Sequence, residues 1–152
     1  MAKRIIVKYD APLLRERSKV VTEFDQKLWT LLDDMKETMH AVRGLGLAAV
    51  QVGILKRVVL VLDDTKKQIY ELVNPEIIKS SGSHVGQEGC LSIPGQNGYV
   101  ERPRRLIIKA QDRLGQSFLL KINAVLTSAV VCHELDHLDG VLYIDKVVEK
   151  NK

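Results

Sequence analysis

From Phe24 to Val42 the apolar residues Phe24, Leu28, Leu31, Leu32, Met35, Met39 and Val42 recur at steps of three and four, with charged residues between them. That spacing lines one face of a helix and predicts an amphipathic helix over this stretch. Thr22, with Asp25 three residues later, suits its start, and Gly44 suits a left-handed position just past its end. The pattern then changes to β-branched runs at Arg57–Leu62, Ile69–Val73, Glu76–Lys79, Arg105–Gln111 and Ser117–Ile122, punctuated by the polar turns Asp63–Lys67 and Asp112–Gly115. These read as antiparallel strands. A second helix is expected from about Ala124 to Leu138, stopped by Gly140, with Val141–Ile144 returning as a short strand. Helices segregated from consecutive hairpins predict an α+β fold in which antiparallel strands pack around the second, central helix after a long N-terminal one. Two Gly-rich segments, Gly44–Gly53 and Ser80–Gly98, interrupt this scaffold; Ser80–Ser83 reads as a surface loop, and a long loop in a compact chain is where binding or catalysis often sits.

Composition narrows the class. With 152 residues, 45% of them hydrophobic, the chain is expected to form a single domain over residues 1–152 with its own core. No apolar run approaches the ~20 residues a membrane helix needs, so no membrane association is expected. The start, Met1-Ala2-Lys3-Arg4 followed by Ile5-Ile6-Val7, lacks an apolar signal core, which predicts a cytoplasmic location. Lys and Arg exceed Asp and Glu by 23 − 19 = 4. That mild excess suits an anionic neighbour such as RNA without identifying one, and an RNA-binding module is one competing reading. Two cysteines, Cys90 and Cys132, make no disulfide framework; in a reducing compartment they point to catalysis or metal binding.

The sequence His133-Glu134-Leu135-Asp136-His137 carries the chemistry. Two histidines four apart on a helix lie on one face and can grip one metal ion, while Glu134 between them reaches water beside it. A catalytic site of this kind needs a third protein ligand. After His137 the only His or Glu is Glu149, near the end of the chain, whereas Cys90 stands 43 residues before His133 in a turn-rich, sterically open segment. Cys90, His133 and His137 make a donor set with a fourth position left for water. The segment Gly44–Ala49 also fits Gly-x-Gly-x-x-Ala, a dinucleotide fingerprint, but that reading requires a strand before it and a helix after it; here a helix precedes and Gly53 interrupts the next stretch of chain. A flat backbone edge that pairs with an extended peptide is the alternative role for these glycines.

Three motifs together resemble the peptide deformylase family: Gly44-Leu45-Gly46-Leu47-Ala48-Ala49-Val50-Gln51, Glu88-Gly89-Cys90-Leu91-Ser92 and His133-Glu134-Leu135-Asp136-His137, in the family's order. Asp10–Arg15, Val73–Glu76 and Glu101–Pro103 extend the resemblance over nearly the whole chain. It implies a metallohydrolase that removes the formyl group from the N-terminal formyl-methionine of newly made polypeptides and releases formate. By this resemblance Cys90, His133 and His137 hold Fe(2+), with zinc, nickel or cobalt as substitutes; a hydroxide formed on the metal is the nucleophile, and Glu134 carries the proton. The side-chain amide of Gln51 and the backbone N–H of Leu91 are the expected donors to the oxyanion, and Gly46 and Gly89 with Leu45, Leu126 and Val130 the expected substrate-binding residues. Asp136 is expected to orient a ligand histidine or to pair with Arg102. The partners implied are N-formylmethionyl peptides and nascent chains, with a transient ribosome contact and a monomeric state. A metal-binding protein without catalysis is the competitor that an intact Glu134 and Gln51 argue against. The family has Gln before its first motif histidine, where Cys132 stands here. One helical step turns a side chain by about 100°, so Cys132 is expected to pack and not to ligate. The stretch Lys146–Lys152 is short and charged, and the terminal helix of some family members is expected to be absent or stunted.

Overall fold

The structure, a computed structural model, describes residues 2–149. Helix α1 spans Gln26–Ala41 and α2 spans Val125–Leu138. Among the described residues eight strands accompany them: β1 Gly46–Ala48, β2 Val58–Asp63, β3 Gln68–Ser81, β4 His84–Cys90, β5 Ile93–Arg102, β6 Arg105–Gln111, β7 Ser117–Ile122 and β8 Val147–Val148. All pairings between these strands are antiparallel and fall into a five-stranded sheet, β1-β2-β3-β6-β7, and a three-stranded sheet, β4-β5-β8. The α+β class expected from the pattern is the class observed.

The unbroken apolar run of β2 comes from its position. Val59 and Val61 face a core shared with Leu72, Ile108, Val131 and Leu138, under α2; Val58 and Leu60 face the other core, with Leu28, Leu32, Met35 and Met39 of α1. A strand covered on both sides needs apolar residues at every position and not at alternate ones. The apolar face of α1 also carries two buried polar residues, Asp34 and Thr38, which the N-terminal segment satisfies: Ala2 N–H donates to Asp34 at 2.8 Å and Arg4 N–H to Thr38 Oγ1 at 2.8 Å.

Several local expectations are corrected. The cap of α1 is Asp25, whose carboxylate accepts from Leu28 N–H, not Thr22. Its left-handed exit residue is Arg43, at φ 55°, not Gly44. The runs Ile69–Val73 and Glu76–Lys79 are one strand, β3, kept continuous across an irregular step between Val73 and Glu76, where Asn74 takes φ 50° and its amide binds Val21 and Gln111. Most of Ser80–Gly98 is not loop: it holds the β4–β5 hairpin. Glycines suppress the strand signal locally, while the cross-strand ladder supplies the stability that propensity does not. Val141–Ile144 forms no strand; a 3-10 turn occupies Tyr143–Asp145, and the returning strand is β8, two residues later. Gly140 does stop α2, at φ 75°, and a Cβ there would collide with the Arg15 carbonyl oxygen. Of the stretch from Lys146 onward, Lys146–Glu149 contains β8 and no helix; residues 150–152, where the remainder of the stunted-helix expectation falls, lie outside the described residues.

Candidate active site

Helix α2 runs between the two sheets, contacting β1, β2 and β6 of the larger and β5 of the smaller. Its C-terminal end is held by Ser18 N–H, 2.8 Å, and Arg57 Nη1, 3.1 Å, which both donate to the Leu138 carbonyl left open by the helix end. This fixes the turn that carries His133 and His137. The β4–β5 turn brings Cys90 against it: Cys90 Sγ lies 3.4 Å from His137 Nε2, and the donor atoms of Cys90, His133 and His137 all lie within 4.8 Å of one another. A tetrahedral ion with bonds of ~2.3 Å to sulfur and ~2.0 Å to nitrogen separates those ligands by about 3.5 Å. The Cys90–His137 separation matches that figure, and the three donors lie close enough together to hold one ion. Cys132, one helical step away, is buried with Val131 and Leu138 in the core under α2 and lies outside that set. Burial pushes its thiol up to about 11.

Glu88, quoted in the sequence only as part of a motif, orients the first histidine. Its Oε1 lies 3.0 Å from His133 Nδ1, and Arg102, itself buried, binds both its oxygens at 2.9 Å. Engaging Nδ1 leaves Nε2 of His133 for a metal. Asp136 does not take this role but the other one expected of it, accepting from Arg102 Nη1 at 2.7 Å, and it also receives Lys146 Nζ at 3.1 Å. Burial opposes ionisation of Glu88, but Arg102 and His133 outweigh it and hold the carboxyl down at about 2. Burial also pulls His133 down, yet its contacts with Cys90 and Glu88 push it up to about 10. For His137, burial and the neighbouring His133 charge act together, and it is held near 3.

Glu134 is buried against Gly46, and its Oε1 has no hydrogen-bond partner among the described residues. Desolvation lifts its carboxyl to about 7. Gln51 sits in the 3-10 turn Ala49–Val52 that comes after β1; Ala48 N–H donates to its Oε1 at 2.9 Å. That bond turns the amide nitrogen toward Ser92 Oγ, 3.2 Å, and Cys90 Sγ, 3.7 Å. Leu91 and Ser92 form the turn between paired Cys90 and Ile93, so the Leu91 N–H lies outside the ladder.

Cys90, His133, Glu134, Gln51 and Leu91 open onto one pocket of about 370 Å³. Leu45, Gly46, Gln51, Gly89, Cys90, Leu91, Leu126, Val130, His133 and Glu134 all line it; of the site residues expected from the sequence only His137 does not, lying buried behind Cys90. Leu45 and Leu126 are exposed apolar residues, and both line this pocket. Two further features were not foreseen: Ser92 beside Gln51, and Arg43 at the pocket lining. Arg43 bears no motif, and only the turn out of α1 brings it here.

A family model for polypeptide deformylase matches residues 3–152. The chain belongs to the polypeptide deformylase family. A peptide deformylase of Caldicellulosiruptor bescii is 54% identical over 97% of this chain and 87% of its own, and one of Alkaliphilus metalliredigens is 47% identical over 99% and 100%. Among solved structures, the Thermotoga maritima peptide deformylase superposes with a TM-score of 0.92 at 36% identity, covering 98% of this chain and 100% of that one. The Ehrlichia chaffeensis deformylase in complex with actinonin gives 0.91 at 35% identity, covering 98% and 91%. As a deformylase the chain is a metallohydrolase, which agrees with a donor set able to hold an ion. No helix among the described residues is long and apolar enough to cross a membrane.

Proposed function

We propose that this chain, working as one catalytic domain, hydrolyses the formyl amide of N-terminal formyl-methionine on newly made polypeptides, giving formate and a free amine, with Glu134 as the proton carrier. The observation that carries this reading is the meeting, at one pocket, of a three-ligand donor set with a buried, unpartnered carboxylate oxygen. Cys90, His133 and His137 would hold the metal, Fe(2+) being the ion the family implies and zinc, nickel or cobalt its substitutes. When bound, such an ion polarises a carbonyl oxygen and lowers the pKa of water toward neutrality.

Glu134 takes a proton from the attacking water and delivers it to the departing nitrogen, a task suited to a carboxyl that burial lifts to about 7. As the formyl carbon becomes tetrahedral its oxygen gains negative charge, and the Gln51 amide and Leu91 N–H are the protein's donors to it. Gln51 is suited to this because its Oε1 is already occupied by Ala48 N–H, leaving the NH₂ end as the one presented toward Cys90. The peptide lies along β1. That strand is the edge of its sheet, and the Leu45 carbonyl accepts Leu62 N–H on the β2 side. Alternation then turns the N–H and C=O of Gly46 toward the open edge, where an extended chain can add as a strand. Gly89 lines the same pocket; Leu45, Leu126 and Val130 provide the apolar wall for the methionine side chain.

The test is formate release from formyl-Met peptides by anaerobically purified, iron-loaded protein. Steady turnover is expected; its absence at full metal occupancy would overturn the reading.

A further inference from the structure

Arg43 is the residue at which α1 ends and the chain turns into β1. It holds φ 55°, a left-handed conformation that favours Gly or Asn and is costly for a long side chain. A long cation kept in such a conformation beside a reaction pocket invites a functional account. Arg43 lines the pocket and is exposed. The other charged lining groups are committed: Glu88 is bound by Arg102 and His133, and Glu134 is buried against Gly46. No ion pair reaches the Arg43 guanidinium among the described residues.

The proposed path of the peptide along β1, on which this inference rests, sets the direction of the chain. The reacting groups flank β1 on the C-terminal side of Arg43: Glu134 touches Gly46, the first residue of the strand, and Gln51 comes just after its last. The formyl end of the peptide belongs there. Residues after the methionine then run back past Gly44 toward Arg43, antiparallel to β1. Arg43 stands three residues before Gly46, at the turn that leads into β1, on the side toward which the second and third residues of the peptide run. We propose that Arg43 is a specificity determinant that favours substrates with an acidic side chain at the second or third position after the formyl group and disfavours basic ones there. The contact is solvent-exposed, so the preference is modest and screened by salt.

The test compares kcat/KM for formyl-Met-Ala-Glu and formyl-Met-Ala-Lys, and for formyl-Met-Glu-Ala and formyl-Met-Lys-Ala, all amidated at the C-terminus so that no terminal carboxylate competes. At low ionic strength the metal-loaded parent is expected to favour Glu over Lys by about three- to tenfold in one of the two pairs, a ratio that shrinks at high salt. Arg43→Asn, which tolerates the left-handed backbone, should bring the ratio to near one, and Arg43→Glu should invert it. The same ordering is expected in the affinities of the deformylated products, measured by calorimetry. A parent ratio near one, or a ratio that Arg43→Asn leaves unchanged, overturns the inference while leaving deformylation intact. No formate from any peptide overturns the reading of the pocket and this inference with it.

Discussion

Gly46 is where the backbone edge offered to the peptide meets the carboxylate proposed to carry the proton. A Cβ built on Gly46 would lie 2.8 Å from Glu134 Cγ, 2.8 Å from Glu134 Oε2 and 2.8 Å from Val130 Cγ1. Non-bonded carbon atoms rest at about 3.5–4.0 Å, so Gly46→Ala overlaps the two carbons by about 0.7 Å or more and crowds the oxygen as well. Either β1 lifts from α2 or the Glu134 carboxylate swings toward the pocket. Overpacking of this kind costs about 1–3 kcal/mol of stability, and a displacement of about 1 Å at a reacting group costs about a hundredfold in rate. Gly46→Ala should therefore lower kcat for formate release by about two orders of magnitude while metal content, read by elemental analysis, stays stoichiometric. The added methyl meets two atoms of Glu134 and one of Val130, so combining it with Val130→Ala should not restore the rate. In a Glu134→Ala background, the Gly46→Ala change should cost little more. Activity within threefold of the parent at full metal content would refute the steric argument, and recovery in the Val130→Ala combination would move its cause from the carboxylate to the packing of α2.

Glu134→Ala should leave metal bound and lower turnover by about 10²–10⁴-fold; activity surviving within about tenfold would mean that Glu134 is not the proton carrier. Cys90→Ala should lower metal content, whereas Cys132→Ala should keep it and lose only about 1 kcal/mol of packing, as thermal unfolding and elemental analysis would show. Asp63 provides a test of pH dependence away from the site. Thr65 Oγ1, Tyr70 Oη and the backbone N–H groups of Thr65 and Lys66 donate to its carboxylate; the Thr65 hydroxyl contributes most to holding it below 3.8, against the opposing effect of burial. The unfolded chain thus takes up the proton first as pH falls. The stability this group contributes is fully present above about pH 4 and is lost as pH drops through its lowered value. Asp63→Asn should accordingly destabilise the protein at pH 7 and flatten the acid limb of its unfolding midpoint; an unchanged limb would refute the assignment.

Much of this protein was legible before folding. The three- and four-residue rhythm of α1, the β-branched and other apolar residues of β2, β6 and β7, and the spacing of His133, Glu134 and His137 are local properties written into side-chain chemistry. They sufficed for the α+β class and, with the two Gly-containing motifs, for the family. Other features were hidden because their cause is not local. The β4–β5 hairpin carries Gly86, Gly89, Gly95 and Gly98, so its strands exist through pairing and not propensity. Gly44 looked like the end of α1, but Arg43 takes the left-handed turn, a choice that tertiary context imposes against intrinsic preference.

The sequence by itself determined which chemistry is available: a thiol, two imidazoles at one helical turn, a carboxyl between them and an amide. Only the tertiary structure decided how those groups are held. Residues far apart in the chain had to meet before Glu88 could bind His133, Arg102 could bind Glu88, Gln51 could present its amide to Cys90 and Gly46 could receive Glu134 without a side chain in the way. Such arrangements depend on distances and directions in space, and no spacing along the chain encodes them one residue at a time.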